Sequence, residues 1–177
     1  MKSHRNLLAI LLAAPLSNPF AIAASESESL APTQPVTFIG VGPVHVGMSF
    51  EDLRREVGEV ELDDKSGQMS CNFAHLPGNR WDISWMLIEG RVARTDVGGH
   101  DFATVSGGRV GDSEARILSL YKGRVTVGPH TYVEKGHYLI VESKDGKSLL
   151  VFETDGFRVT SYRIGRAPEA GFIEGCS

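Results

Sequence analysis

The chain has 177 residues, 41% of them hydrophobic and 23% charged, with a formal net charge of −4. That length suits one compact domain or two small, closely packed halves, and the apolar share supports a real core, which excludes global disorder. No basic stripe runs along the sequence, which argues against nucleic acid and anionic membrane surfaces as partners.

In chain order, the first element reads as an export signal. Lys2, His4 and Arg5 make a basic start, Leu7 to Leu16 is an apolar run, and Pro19 leads into the small-x-small sequence Ala21-Ile22-Ala23. This pattern predicts cleavage after Ala23, with a cut after Ala24 as the alternative. The run is shorter than the roughly 20 apolar residues that span a bilayer. No cysteine stands near the cut to carry a lipid. The expectation is a mature protein without a stable membrane anchor, in the periplasm or secreted. Loss of residues 1–23 removes Lys2 and Arg5 and leaves 16 basic against 22 acidic side chains. Residues 24–37, which include "SESESLAPTQP", have the composition of an extended, mobile linker.

Two later stretches resemble each other. "HVGMSFEDLRREVG" runs from His45 to Gly58 and "RVGDSEARILSLYKG" from Arg109 to Gly123. At an offset of 64, Val46-Gly47-Met48-Ser49 falls on Val110-Gly111-Asp112-Ser113, and Leu53 falls on Ile117. Each reads as a capped helix. Ser49 and Ser113 are the predicted N-caps, and Phe50, Leu53 and Val57 form a single apolar stripe. Ile117, Leu120 and Tyr121 form the corresponding one. The closing glycines, Gly58 and Gly123, suit the left-handed turn that ends a helix.

After each helix the pattern changes to antiparallel strands. A strand is expected near Ser70 to His75. "WDISWMLIEGRVARTDVG" (Trp81 to Gly98) and "KSLLVFETDGFRVTSYRIG" (Lys147 to Gly165) each read as strand, tight turn, strand. Asp145-Gly146 marks a further hairpin after "HYLIVES". The expected fold class is therefore α+β, with two pseudo-repeats over residues 38–99 and 100–177. Each repeat would be a short helix followed by antiparallel strands, and the two would share one core because neither half buries enough surface alone.

The "VGMS" helix entry, the glycine after the helix and the following sheet resemble the small envelope domains typified by the outer-membrane assembly lipoprotein BamE. They also resemble the tandem repeats of secreted beta-lactamase inhibitor proteins. The "GDSEAR" and "EGCS" features resemble uncharacterised secreted bacterial proteins. The resemblance implies a helical element on one face of a sheet, with the other face free to bind protein. This chain departs from it in lacking a lipid-attachment cysteine and in having one helix per unit. It also carries Asp112 where the first copy has Met48.

Cys71 and Cys176 are the two cysteines. In an oxidising compartment they predict a disulfide that staples the chain end to the first half. It would close a loop of about 105 residues and contribute roughly 4–5 kcal/mol by the chain-entropy model.

Catalytic motifs are missing: there is no nucleophile elbow, zinc-protease helix, phosphate loop or dinucleotide fingerprint. His130 and His137, with Glu134 between them, have the residue types of a metal site. The plainer reading makes them polar strand ends, so no metal and no cofactor is expected. His100-Asp101 has no nucleophile spaced to use it. Alternation puts Trp81, Ile83, Trp85 and Leu87 on one sheet face as core. Met86, Arg94, Arg158 and Tyr162 are of types enriched where proteins bind proteins, and they are the candidate partner-binding residues. The expectation is an exported, non-catalytic protein-binding module whose partner is an envelope or secreted protein. The alternatives are a small periplasmic hydrolase, or a small-ligand binder using the seam between the two halves.

Overall fold

The computed structural model describes residues 34–66 and 68–176; the expected signal peptide and most of the expected linker lie outside the described residues. Three strands of two residues open the described chain: β1 (Val36–Thr37), β2 (Gly40–Val41) and β3 (Val44–His45), paired antiparallel in that order. Helix α1 (Phe50–Val57) follows, then strands β4 (Glu61–Leu62), β5 (Cys71–His75), β6 (Ile83–Ile88) and β7 (Arg91–Val97). The rest is α2 (Glu114–Leu120), β8 (Val125–Pro129), β9 (His137–Glu142), β10 (Ser148–Thr154), β11 (Val159–Arg166) and α3 (Ala167–Gly171). Strands β4 to β11 form one antiparallel sheet in the order β4-β5-β6-β7-β11-β10-β9-β8. No helix of the described residues is long and apolar enough to cross a membrane.

This architecture corrects the expectation of an α+β fold built from two helix-plus-strand repeats. The protein is mostly β, and its three helices have only eight, seven and five residues. Strand pairing across a single continuous sheet carries the core. The two halves also differ: the small sheet β1-β2-β3 and helix α3 each occur once. The expected linker ends too late. Val36 is buried, pairs with Val41, and its amide donates to the Ala103 carbonyl at 2.9 Å.

What the two similar stretches do share is a local helix entry. Gly47 and Gly111 have φ of 88° and 89°, a backbone that favours glycine. Their amides donate to the carbonyls of Val92 and Val159 at 2.7 and 2.9 Å. Arg91 and Arg158 donate back to the Gly47 and Gly111 carbonyls at 3.0 and 2.8 Å. Ser49 and Ser113 then cap α1 and α2, accepting from the amides of Asp52 and Arg116 at 3.2 Å each. The Ser49 hydroxyl, and after it Arg55, hold the Asp52 carboxyl below its usual pKa. The glycine amide of each entry therefore bonds to a strand of the large sheet, at Val92 of β7 and Val159 of β11, which ties the start of each helix to that strand.

The hairpins follow their sequence signals. Glu89 and Gly90, the two turn residues between β6 and β7, have φ of 50° and 70°, the positive pair required by a tight turn matched to strand twist. Between Met86 and Leu87 the register with β7 shifts, so Met86 opposes Arg94 while Leu87 opposes Val92. Such a bulge re-aims the side chains on one side of it.

The sheet has two unequal faces. Toward α1 and α2 lies the main apolar cluster, which includes Leu53, Ile117, Trp85, Leu87, Phe152 and Tyr162. Phe152 lies between Tyr121 and Tyr162, with ring centroids 5.8 and 5.4 Å away. The Tyr162 hydroxyl donates to the Phe102 carbonyl at 3.2 Å, and burial pushes its pKa up. Met86, Val151, Tyr138 and Ala170 are buried outside that cluster, on the opposite face, where α3 packs over β7, β10 and β11.

Candidate functional site

The second face of the sheet carries charge at its centre. One transverse row of the sheet runs His75, Ser84, Asp96, Arg163, each opposite the next on β5, β6, β7 and β11. Directly paired side chains in such a row stand about 5 Å apart. The neighbouring row places Arg94 opposite Met86 and Gly165, and Ser161 opposes Glu153. Gly165 fits because a Cβ there would lie 2.4 Å from the Ala93 carbonyl oxygen and 3.0 Å from the Arg94 Cβ.

Arg94 and Arg163 are only 4% and 5% exposed, so each needs partners for its charge and its donors. Both find them in the C-terminal tail. Arg94 donates through Nη1 to the carbonyls of Glu169 and Phe172, at 3.0 and 2.8 Å. Arg163 donates through Nε to the Ala170 carbonyl at 2.7 Å. These acceptors belong to α3 and the residue after it. A helix end leaves carbonyls without intrahelical partners, and a cation there is favourable. The charges are balanced by Asp96, 2.8 Å from Arg94 Nε, and by Glu153, paired with Arg163 Nη1. The guanidinium of Arg94 lies over the Phe73 ring and that of Arg163 over Tyr138. Cys176 closes the tail by its disulfide to Cys71 on β5, with the two Cα atoms 5.5 Å apart. The expected pairing is thus present, and its partner element is the first long strand of the sheet.

Beside Ile173 of the tail, a cavity of about 500 Å³ remains. Strands β5, β6, β7, β10 and β11 supply its floor, with His75, Ser84, Asp96, Glu153, Ser161 and Arg163. Arg80, Trp81 and Ile173 of the tail also line it. It crosses the β7–β11 contact, where the two halves of the chain meet in the sheet. Burial, ahead of the opposing pull of Arg94, raises the Asp96 carboxyl above its usual pKa. Next to it, Asp63 holds Arg80 at 2.7 Å and His75 Nε2 at 3.3 Å. His75 Nδ1 lies 3.2 Å from the Leu76 carbonyl. Both ring nitrogens therefore have partners, and no hydrogen bond joins His75 to Ser84 among the described residues. A serine–histidine–aspartate relay is not assembled there.

The candidate partner-binding residues do not share an exposed face. Met86 and Tyr162 are 0% and 1% exposed and lie on opposite sides of the sheet. Arg94 is buried beneath the tail, and Arg158 alone of the four is exposed. Trp81, expected in the core, is 81% exposed because β6 begins only at Ile83. His130 and His137 diverge. His130 Nδ1 accepts from the amides of Tyr132 and Val133, which leaves Nε2 to donate to Glu153 at 3.4 Å. His137 meets Glu114 at 2.8 Å. Among the described residues no group of three His, Cys, Asp or Glu side chains could hold a metal.

Sequence reasoning missed Asp96, Arg163 and Glu153 as a cluster. A signal existed in "RVARTDV" and "VTSYRIGR", where charged residues recur within otherwise apolar strands. Strict alternation groups Val92 with Arg94 and Asp96, but the bulge separates them: Val92 joins the main core cluster, while Arg94 and Asp96 turn to the other face.

No protein-family model matches the chain, and no curated protein matches it. Among solved structures it is similar to the uncharacterized protein YfeY from Escherichia coli, with a TM-score of 0.49 and 12% sequence identity, over 75% of this chain and 99% of that chain.

Proposed function

We propose that this is an exported protein of the periplasm or the exterior that binds a small polar ligand, without catalysis, in the cavity at the β7–β11 seam. The observation that carries the reading is the cavity itself: about 500 Å³, floored by a register-matched polar row from four strands. That volume is within the range of small-molecule sites, roughly 300–1,000 Å³. Its groups sit on strands rather than loops, which keeps their spacing rigid. The signal-like residues 1–23 and the Cys71–Cys176 bond support export. The protein-binding reading relied on an open sheet face. Here α3 and the tail occupy part of that face, and three of the four residues named for it are buried. The small-ligand alternative is therefore preferred.

The test is to purify the mature protein from the periplasm under native conditions and identify bound small molecules by mass spectrometry. Ser161→Trp, which fills the cavity from its floor with a large ring, should abolish the bound species and leave circular dichroism and the disulfide unchanged. Equal recovery of the same molecules from the variant would overturn the reading.

A further inference from the structure

We infer that the ligand class suited to the seam cavity is a neutral saccharide, with one ring face on Trp81 and hydroxyls on Asp96, Ser84 and Ser161. This rests on the small-ligand reading and narrows it.

Charge gives the first argument. Arg80, Arg94 and Arg163 around the cavity are matched by Asp63, Asp96 and Glu153. A small ion of either sign meets repulsion as well as attraction there. The arginines are also already engaged, Arg94 and Arg163 on the tail and their carboxylates, Arg80 on Asp63. An anion would have to displace those contacts.

The groups left open give the second. The Ser84 and Ser161 hydroxyls make no hydrogen bond among the described residues, and Asp96 uses one oxygen on Arg94 and leaves the other. Hydroxyls both donate and accept, and the free Asp96 oxygen accepts when ionised and donates when it carries the proton. Ser84 stands directly opposite Asp96 on the neighbouring strand, so their Cβ atoms are about 5 Å apart. The hydroxyls around one sugar ring supply both donors and acceptors to such a pair.

The rim gives the third. Trp81 is 81% exposed beside a polar floor, with Arg80 over its ring at 5.3 Å from the centroid. Arg80 lies over the ring, and the residue as a whole stays mostly exposed. An aromatic ring with one wet edge suits a ligand that has an apolar face and polar edges. A sugar ring, with C–H groups on its face and hydroxyls around it, divides its surface in that way.

The experiment titrates the mature, oxidised protein with glucose, N-acetylglucosamine and maltose, and in parallel with phosphate, glutamate and spermidine. Calorimetry gives affinity and tryptophan emission gives location. Of the two tryptophans, Trp85 is fully buried, so a change in emission on binding reports Trp81. The expected result is binding of at least one saccharide with a shift in emission. Trp81→Ala should weaken it about tenfold. Trp81 lies outside every strand, so the variant should melt as the parent does. Ser84→Ala with Ser161→Ala should weaken binding without moving the emission of the free protein. Binding of phosphate, glutamate or spermidine in place of the saccharides overturns the saccharide class and leaves the cavity reading standing. Absence of binding by all six probes at millimolar concentration, or saccharide binding unaffected by both variants, also overturns it. Failure of the broader reading shows differently, as small molecules retained by Ser161→Trp.

Discussion

On one face of the large sheet, Leu53 and Ile117 reach down from two capped helices onto Trp85, Leu87 and Phe152. On the other, Arg94 and Arg163 reach up to the carbonyls of α3 and the residue that follows it. The first closure is non-directional, and its strength follows the apolar area removed from water. The second is directional: each guanidinium is fixed by a carbonyl above and a carboxylate beside it. Buried ion pairs of this kind add little net stability compared with apolar packing, but breaking one is costly. The apolar face therefore holds the fold, while the polar face can hold charged groups in fixed positions and leave a cavity among them.

The comparison can be broken most forcefully at Phe152, which is fully buried between two tyrosines. Phe152→Ala should cost about 4 kcal/mol in urea denaturation. A much smaller loss would mean that the apolar face is not the main source of stability.

A smaller effect is expected on the tail. Cys176→Ser should cost about 3 kcal/mol, below the chain-entropy figure because an unfolded chain that keeps some compactness loses less freedom to the bond. Cys71→Ser should match it, and the double variant should cost no more than either single one, because both remove the same bond. Hydrogen exchange then sharpens the contrast. If the arginines hold α3 independently of the bond, the Phe172 amide, which donates to the Glu169 carbonyl at 3.2 Å, stays protected in Cys176→Ser.

The smallest effect is a slope with pH. The raised pKa of Asp96 means that the folded protein keeps a proton which the unfolded chain has already lost. Its contribution is complete below the ordinary carboxylate range and declines as pH rises through the raised value. The stability difference between wild type and Asp96→Asn should therefore shift against the wild type as pH rises from about 4 toward neutrality. Urea titrations across that range check it, and a flat difference would place Asp96 in a water-like environment.

Much of the local structure was legible in the residues. Ser49 and Ser113 cap the helices, and the β6–β7, β9–β10 and β10–β11 hairpins lie where glycine-containing turns separate apolar runs. The fold class was not. Similar helix entries suggested two α+β repeats, but a capped entry is local and says nothing about how strands beyond it pair. The candidate surface failed for a related reason. Met86 and Tyr162 are the right types for an interface and also for a core, and only the position of the tail and the bulge at β6–β7 decides which they are.

By itself the sequence determined the caps, the turns, the hairpins and the pairing of Cys71 with Cys176, because each depends on residues near in sequence or on a choice with a single answer. Tertiary structure alone decided that strands from the two halves join at β7 and β11, that α3 covers one face, and that Asp96, Arg163 and Glu153 meet there. Those outcomes depend on register between segments far apart in the chain, where a shift of one residue turns every side chain to the opposite face.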